Sequence, residues 1–494
     1  MKREKLGSRL GFLLLSAGCA IGVGNVWKFP WMVGQYGGGA FVLIYAIFLI
    51  LLGLPVMTME FAMGRAAQTS PVLMYKAITP DKKAWSIHGI ICFIGNVVLM
   101  MFYTMVAGWL LYYFYSMATG KFVGLSSDGV AEYFGNLCAS PVVLIVFMVI
   151  ISVAGFFILS FSLKNGLERV TKVMMIALIV LMIAIAANTL TLGGARQGLE
   201  FYLVPDLSKI NFDVIVGAMN QAFFTLSLGI GAMAIFGSYI NKDRSLMGES
   251  LNVIMLDTLV AVIAGLIIFP ACFTFNVEPG AGPSLIFITL PNIFMNMPMG
   301  RVWGTLFFLF MTFAAFSTIL AVFENILACV RDLTNWERPK ASFICCIFII
   351  LLSIPCCLGF NVLSNVAPLG DGSMIMDVED FVVSNCLLPL GSLVYVLYCT
   401  NKYGWSWEKF AKEANLGKGM KVKQWMYGYC KFVLPIIIFI IFVIGIRQYT
   451  TTKDVFILTV CFIISYVTAQ SVNKSKASIV SKLKVTKKKN SFKR

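Results

Sequence analysis

Residues 18–30, with the sequence GCAIGVGNVWKFP, interrupt the first long apolar segment of the chain, which runs from about residue 10 to residue 32. Irregular backbone at membrane depth is tolerated only where protein buries it or where it lines a cavity. Carbonyls and amides freed at such a break can bind ions and a small polar solute. A glycine-rich helix-packing face is the alternative, but Asn25 and Lys28 are too polar for simple packing. The segment therefore predicts a broken helix beside a polar site.

The composition is that of a polytopic membrane protein. Of the 494 residues, 59% are hydrophobic and only 13% are charged, with a mean hydropathy of +0.86. The net charge of +16 lies in short loops and in residues 474–494, which contain nine basic and no acidic residues. This distribution favours contact with anionic lipid and argues against nucleic-acid binding. We find no nucleophile–base arrangement and no nucleotide-binding loop, so the sequence does not predict an enzyme.

The cysteines and the single histidine suggest no metal or disulfide framework. The 13 cysteines are scattered and include no C-x-x-C motif, which is typical of small buried side chains. His88 stands at the start of an apolar segment and is interpreted as interfacial. The N-terminus approaches a signal-peptide pattern, but no soluble domain follows, so we interpret it as the first transmembrane helix.

Twelve apolar segments are long enough to span a bilayer, and the last is the shortest. They lie at about 9–33, 40–63, 88–118, 141–163, 168–192, 212–239, 247–275, 301–330, 342–360, 380–400, 430–447 and 455–472. Basic residues concentrate in the loops after even-numbered segments, which predicts a protein of the cell membrane with both termini in the cytoplasm. We expect one transmembrane domain over residues 1–475 and a basic cytoplasmic tail over residues 476–494.

A second break is predicted in the sixth segment. Gly229 and Gly231 follow two hydroxyl side chains, Thr225 and Ser227, in the middle of this segment. Segments one and six are five apart, as expected for two inverted repeats with a binding site between them. We therefore predict an all-α fold of about 12 transmembrane helices, with repeats over about 9–193 and 211–400, broken helices 1 and 6, and two further helices, 11 and 12.

Polar groups inside a membrane usually face a partner or a cavity. The prominent ones are Asn25, Glu60, Thr225, Ser227, Asp257, Ser317, Thr318 and Glu324. Asp257 is the most informative, because a lone buried carboxylate needs a counter-charge or a proton. Oxygen ligands of this kind suit a hard monovalent cation such as Na⁺ rather than a transition metal.

Several motifs resemble those of the neurotransmitter:sodium symporter family, most closely its bacterial amino-acid transporters. They are GSRLG (7–11), GVGNVWKFP (22–30), GGGAF (37–41), EFAMGR (60–65) and QAFFTLSLG (221–229). The resemblance covers about residues 3–450. It implies the leucine-transporter-like fold and the movement of two Na⁺ ions with one substrate by alternating access.

The resemblance also implies the ligands of the two ions. The first Na⁺ site would comprise the substrate carboxylate and groups of Ala20, Asn25, Thr225 and Asp257. The second would comprise the carbonyls of Gly18, Ile21 and Ala314 and the hydroxyls of Ser317 and Thr318.

The substrate site implied by the resemblance lies between the two breaks. Its carboxylate would meet the amides of Val23 and Gly24 and the hydroxyl of Tyr103. Its ammonium would meet Ala20, Phe224, Thr225 and Ser227. Leu99, Ile230, Ala321 and Val322 would line an apolar side-chain pocket, although each of these four alone is equally typical of a packed core.

Gates are implied on both sides of the site. Lys28 and Asp380 would pair above it, with Phe224 and Tyr103 as a lid. Arg3 and Asp332 would pair below it, near Ser238 and Tyr239. Juxtamembrane charge without a gating role is the alternative for these residues, and exposed pairs contribute only about 0–1 kcal/mol.

Two positions bear on the transported ligand. Gly22 stands where amine-transporting relatives carry an aspartate, which predicts an α-amino acid substrate, hydrophobic or aromatic given the apolar pocket. Asp257 stands where many relatives carry asparagine, and Ala261 occupies the nearby position of a second acid, so transport is predicted to be chloride-independent.

Two residues depart from the family pattern, and three functional alternatives stay open. Ile176 replaces a proline in the fifth segment, and Leu6 replaces a tryptophan near the lower gate. The alternatives are a proton-coupled carrier on the same fold using Asp257 or Glu324, an ion channel, and an amino-acid sensor without turnover. No oligomeric state follows from the sequence.

Overall fold

The computed structural model describes residues 4–277 and 284–447, and within these ranges the regular structure is helical. One isolated parallel bridge joins Arg244 and Lys418. The chain divides into two compact units, Met1–Ile441 and Phe442–Arg494, and the cavity and the side-chain contacts described below lie in the first unit.

Eighteen helices longer than a single 3-10 turn are present in the described ranges, and one such turn, Leu207–Lys209, lies between the helices Ala195–Leu203 and Phe212–Thr225. In chain order, α1 to α6 are Arg9–Ala20, Gly24–Gln35, Gly39–Ala67, Pro71–Ile78, Lys83–Ala118 and Ser127–Ala139. Helices α7 to α12 are Pro141–Ser160, Lys164–Thr189, Ala195–Leu203, Phe212–Thr225, Ala232–Gly237 and Leu246–Thr274. Helices α13 to α18 are Leu285–Met295, Gly300–Thr334, Arg338–Leu358, Ile375–Thr400, Trp407–Ala414 and Met426–Ile446.

Nine of the described helices are long and apolar enough to cross a membrane, and α1 with α2 forms a tenth span if the bent pair is counted as one. Eleven predicted segments coincide with a helix or with one of the two broken pairs. The twelfth segment, 455–472, and the tail, 476–494, lie outside the described residues. Five shorter helices, α4, α6, α9, α13 and α17, lie in the connections, where no spanning pattern exists.

The first predicted break separates α1 from α2, whose axes differ by 56°. The helix α1 ends where Ile21 takes an extended conformation (φ −71°, ψ 100°). The chain resumes with a π-helical turn, Gly24–Lys28. A Cβ atom on Gly24 would lie 2.9 Å from the Phe224 ring. Glycine therefore allows the two broken segments to approach each other closely.

The second predicted break separates α10 from α11. Ser227, Gly229 and Gly231 have φ values of 49°, 98° and 77°, which belong to the left-handed region and end the helical hydrogen bonding. The Gly229 N–H donates to the carboxylate of Glu60 on α3. This contact satisfies one of the amides that the break frees, as membrane depth requires.

The two breaks lie side by side in the centre of the unit. Gln221 on α10 donates from Nε2 to the Gly24 carbonyl oxygen (3.2 Å), which joins the two broken segments directly. Helix α1 packs against α8, α12 and α14, and the long helices α5 and α14 pack extensively against each other. The breaks are therefore enclosed by intact helices and not exposed to lipid.

Candidate functional site

A cavity lies between the two breaks. It is enclosed by residues of α1, α5, α10, α14 and α16 and of both broken segments. The lining residues are Cys19, Ala20, Gly22, Gly24, Leu99, Tyr103, Phe224, Thr225, Ser227, Ile230, Thr318, Val383 and Leu388.

Nine of the twelve residues predicted to bind substrate line this cavity, and three do not. The Val23 side chain does not line the cavity, but its N–H donates a hydrogen bond to the hydroxyl of the lining residue Tyr103. Ala321 and Val322 are fully buried in α14 and do not line the cavity. Their place in the sequence, one helical turn beyond Ser317 and Thr318, is compatible with core packing as well as with the pocket.

Helix α16 supplies two lining residues that the sequence reasoning missed, Val383 and Leu388. A seven-residue π-helical turn, Phe381–Leu387, lies beside the cavity and contains Val383, and Leu388 directly follows it. Such turns frequently mark functional sites. No composition signal distinguishes this turn from the rest of the apolar segment, so only the structure identifies it.

One end of the cavity presents backbone amides and a phenol. The Val23 N–H donates to the Tyr103 hydroxyl oxygen (3.0 Å), and the Gly22 N–H donates to Asn25 Oδ1 (3.2 Å). A Cβ atom on Gly22 would lie 2.5 Å from the Tyr103 hydroxyl and 2.6 Å from Thr318 Oγ1. These amides stand at the N-terminal, positive end of α2, so this end of the cavity suits a small anionic group.

A carboxylate cluster lies next to this end. Asn25 Nδ2 donates to Asp257 Oδ1 (2.8 Å), and Thr225 Oγ1 donates to Asp257 Oδ2 (3.2 Å). All three side chains are buried, and no Lys, Arg or His side chain of the described residues forms an ion pair with Asp257. The buried Tyr45 hydroxyl also lies beside this cluster and interacts with Asp257. A buried negative charge that is contacted only by neutral groups requires a cation for its stabilisation.

The five groups predicted for a second ion are also close together. Ser317 Oγ donates to the carbonyls of Gly18 (3.0 Å) and Ala314 (2.9 Å). Thr318 Oγ1 lies 3.2 Å from the carbonyl oxygens of both Gly18 and Ile21. Three carbonyls and two hydroxyls are therefore close together where the C-terminal end of α1 packs against α14. The negative end of the α1 helix dipole favours a cation at this place.

The gate predicted above the cavity differs from expectation in one contact. Lys28 Nζ lies 3.7 Å from the centroid of the Phe224 ring, a cation–π contact. Asp380 Oδ1 instead accepts a hydrogen bond from Ser384 Oγ (2.6 Å). The predicted Lys28–Asp380 ion pair is thus not formed in this structure, because each group already has a different partner. Phe224 and Tyr103 do lie at the cavity wall, as a lid would require.

Below the cavity, Asp332 Oδ2 accepts a hydrogen bond from the Ser70 N–H (2.7 Å), and its predicted partner Arg3 lies outside the described residues. Ser238 donates to the Ile235 carbonyl (2.6 Å). The Tyr239 hydroxyl donates to Glu324 (2.7 Å), which in turn forms a buried ion pair with Arg338. The sequence reasoning missed Arg338, a base at the start of a span.

Glu4 closes this lower network, and we name Glu4, Glu324, Arg331 and Arg338 the lower latch. Glu4 Oε1 lies 3.0 Å from Arg331 and 3.4 Å from Arg338, and Oε2 accepts the Leu163 N–H (2.9 Å). Burial tends to raise the pKa of Glu4, but Leu163, Arg338 and Arg331 together lower it below its ordinary value. The ionised Glu4 thus ties the N-terminus to the start of α8, to α14 and to α15.

Comparison with known proteins agrees with this geometry. Residues 3–127 and 134–472 match the model of the sodium:neurotransmitter symporter family. An uncharacterized sodium-dependent transporter, YhdH, of Bacillus subtilis is 35% identical over 91% of this chain and 99% of its own length. An uncharacterized sodium-dependent transporter of Haemophilus influenzae is 32% identical over 90% of this chain and 98% of its own length.

A solved structure shares the fold as well. The crystal structure of MhsT in complex with L-phenylalanine superposes with a TM-score of 0.80 at 36% identity, covering 89% of this chain and 99% of MhsT. The apolar spans, the two broken helices and these similarities lead to one conclusion. The chain is a multi-pass membrane protein that belongs to the sodium:neurotransmitter symporter family, a family of sodium-dependent transporters.

Proposed function

We propose that this protein imports a hydrophobic or aromatic α-amino acid together with Na⁺ by alternating access. The observation that carries the proposal is the cavity between the breaks. Amides and a phenol stand at one end, a carboxylate without a cationic partner lies next to them, and the remaining wall is largely apolar. This arrangement complements a zwitterion with an apolar side chain and a bound cation.

The substrate class follows from the space at Gly22. Any side chain at this position would collide with Tyr103 and Thr318, so the protein supplies no carboxylate here and the ligand must bring its own. Leu99, Ile230 and Val383 form an apolar wall around the part of the cavity that would hold the substrate side chain. MhsT, which is similar to this protein, binds L-phenylalanine, and this supports an apolar amino acid as the substrate here as well.

Two Na⁺ ions fit the oxygen ligands around the cavity. The first is held by Asn25, Thr225, Asp257, the Ala20 carbonyl and the substrate carboxylate, so the ion and the substrate stabilise each other. The second is held by the Gly18, Ile21 and Ala314 carbonyls with Ser317 and Thr318. One charge crossing 100 mV releases about 2.3 kcal/mol. Two ions therefore supply about 4.6 kcal/mol, sufficient for roughly a thousandfold substrate gradient.

Chloride is not required, because Asp257 itself provides the negative charge at the first ion. Ala261, one helical turn further along α12, is fully buried and offers no second acid. With the carboxylate fixed in the protein, the charge of the site does not depend on an external anion.

The gates operate alternately on the two sides of the cavity. Above it, Lys28 and Asp380 close over Phe224 and Tyr103 and pair when the substrate is enclosed. Below it, Arg3 and Asp332 together with the lower latch hold the N-terminus closed. The basic loops support cytoplasmic termini and placement in the cell membrane, and the basic tail supports an even number of spans, which we take as 12. The two breaks, five segments apart, support inverted repeats over residues 9–193 and 211–400.

Equilibrium binding tests this function without requiring turnover. Purified protein is titrated with each of the twenty amino acids in NaCl and in choline chloride at one pH, and the Kd is measured by calorimetry. The proposal predicts binding of one or a few apolar amino acids only in Na⁺. Equal Kd values in both salts, or selectivity for decarboxylated amines, would rule it out.

A further inference from the structure

Glu379 is a buried acid with only a weak hydrogen-bond partner, at a place that the proposed transport site does not use. The residue is 5% exposed, and apart from the Cys356 thiol, which is a weak donor, its carboxyl oxygens have no hydrogen-bond partner. The other buried acids of the described residues each have at least one. Their partners are the Gly229 N–H for Glu60, Lys172 for Glu168, Arg9 for Glu249, Asn25 for Asp257 and Arg338 for Glu324.

The surroundings of Glu379 contain no counter-charge. The α15 helix brings the thiols of Cys356 and Cys357, both fully buried, to interact with it. On its own helix, Asp377 accepts the Met374 N–H (2.7 Å), which leaves that acid engaged at the helix start.

The remaining charged and titratable groups nearby are engaged elsewhere. Helix α5 also packs against this segment, and its Tyr103 accepts the Val23 N–H while Tyr112 accepts a hydrogen bond from Tyr133. Asp380 accepts from Ser384, and the Lys28 ammonium lies against the Phe224 ring. No base of the residues that the structure describes therefore neutralises Glu379 in this conformation.

An ionised carboxylate buried without a partner is strongly unfavourable, and such a group takes up a proton instead. Glu379 is therefore neutral when it is packed against α15. It regains its charge only if water or a cation reaches it, which requires the helical turn that carries it to separate from α15.

The position of Glu379 connects this proton to the upper gate. It directly precedes Asp380, and the two residues end the helical segment Ile375–Asp380. The π-helical turn Phe381–Leu387 follows without interruption and includes the cavity residue Val383. A movement of this segment thus changes the cavity wall, the gate aspartate and the burial of Glu379 together.

We propose that Glu379 is a proton-binding site of the upper gate. It binds one proton when Ile375–Asp380 closes against α15 and releases it to water above the cavity when this segment moves away. The closed form holds more protons than the open form, so it is favoured as the pH falls. The link to gating rests on the proposed transport cycle, whereas the bound proton itself does not.

Infrared spectroscopy tests the proton directly. Protein with isotope-labelled glutamate carboxyls is reconstituted in lipid at neutral pH, and the C=O band of protonated glutamic acid is recorded. We expect part of this band to disappear in Glu379→Gln and to persist in Glu132→Gln, which changes an exposed acid. Glutamine has nearly the shape of the neutral acid, so Glu379→Gln should still fold. Glu379→Leu is a second variant without a titratable proton, in case the first one does not fold. An unchanged band in both Glu379 variants would overturn the proposal.

Thiol labelling tests the link to the gate. Labelling of Cys356 and Cys357 by a membrane-impermeant maleimide is followed by peptide mass spectrometry at several pH values. Dividing the wild-type rate by the Glu379→Gln rate removes the intrinsic pH dependence of the thiols. We expect this ratio to rise with pH, whereas the ratio for the half-buried Cys138 stays constant.

A flat ratio at Cys356 and Cys357 would overturn the gating link. If instead amino-acid binding proves independent of Na⁺ while the infrared band and the labelling ratio behave as expected, the transport proposal fails and the proton site stands. The two experiments therefore separate the two proposals.

Discussion

Replacing Asp257 by asparagine removes the one formal charge that the protein itself is proposed to contribute to the first ion, and it keeps nearly the same side-chain shape. The carboxylate now accepts hydrogen bonds from Asn25 (2.8 Å) and Thr225 (3.2 Å) and has no cationic side chain beside it. At an effective dielectric constant of about 20, two unit charges about 4 Å apart attract by about 4 kcal/mol. Since about 1.4 kcal/mol corresponds to a factor of ten, the ceiling on lost Na⁺ affinity is roughly thousandfold.

The observed loss should fall below this ceiling, because Na⁺ must displace the hydrogen bonds or the proton that stabilise the empty carboxylate. We expect the Na⁺ concentration for half-maximal amino-acid binding to rise at least about tenfold in Asp257→Asn. The assay is substrate binding at constant ionic strength with Na⁺ replaced by choline. Asp213→Asn, which changes an exposed acid on the same helix as Thr225, is the control.

The size of the shift in Na⁺ dependence shows whether Asp257 is a ligand of the ion or only a structural residue. A shift smaller than about threefold in Asp257→Asn, with the protein folded and substrate still bound, would refute the assignment of Asp257 to the ion. Wild-type binding should also be unchanged when chloride is replaced by gluconate, and a loss of binding in gluconate would contradict the role of Asp257 as the fixed negative charge.

Three further predictions follow from other contacts. Gly22→Ala places a methyl against Tyr103 and Thr318 and should weaken amino-acid binding at least about tenfold, since overpacking costs about 1–3 kcal/mol. As a control, Gly193→Ala should leave the Kd unchanged, because the added methyl would lie more than 4 Å from the other described residues except its two chain neighbours. Ser317→Ala removes one hydroxyl at the second ion and should lower the Hill coefficient for Na⁺ toward one, whereas an unchanged coefficient would argue against a second ion there. The lowered pKa of Glu4 means that its contribution to the lower latch is present at neutral pH and is lost as the pH falls below 4.5 through the folded-state value. Hydrogen exchange of residues 4–12, corrected for its intrinsic pH dependence, should therefore accelerate below this pH in wild type but not in Glu4→Gln.

Much of the architecture was predictable because membrane depth restricts what an apolar segment can do. Eleven segments coincide with helices or broken pairs, since a run of apolar residues in lipid must satisfy its backbone within itself. Both breaks were predictable from glycines beside polar residues, as at Gly22 and Gly229. The connecting helices, such as Ser127–Ala139, escaped prediction because their apolar face is short and carries no spanning pattern.

The polar residues of the site were predictable, because binding an ion restricts the residue type. The apolar wall residues were less predictable, because only the packing of the helices determines which of them face the cavity. Asn25, Thr225 and Asp257 stand out as polar groups in apolar sequence, and the structure brings them within hydrogen-bonding distance. Apolar wall residues carry no such mark, so Val383 was missed and Val322, which is buried beside the site, was included. Lys28 contacts the Phe224 ring in this conformation, because a cation can bind an aromatic face as well as a carboxylate, and its pairing with Asp380 stays a prediction.

The lower latch shows a second limit of sequence reasoning. Its ion pairs join Glu4 to Arg331 and to Arg338 across more than three hundred residues of chain. Charge alternation along the loops locates the bases but cannot assign them to partners. Only the packing of α14 against α15 determines which acid faces which base.

The most direct measurement of the central claim is uptake of labelled L-phenylalanine and other apolar amino acids into proteoliposomes. An inward Na⁺ gradient is imposed in chloride-free medium, and the same preparation is measured with choline in place of Na⁺. Our account predicts accumulation above the external concentration only with the Na⁺ gradient, and its loss when the gradient is collapsed. Equal uptake in choline, or no accumulation with Na⁺ by protein that binds the amino acid, would contradict Na⁺-coupled symport.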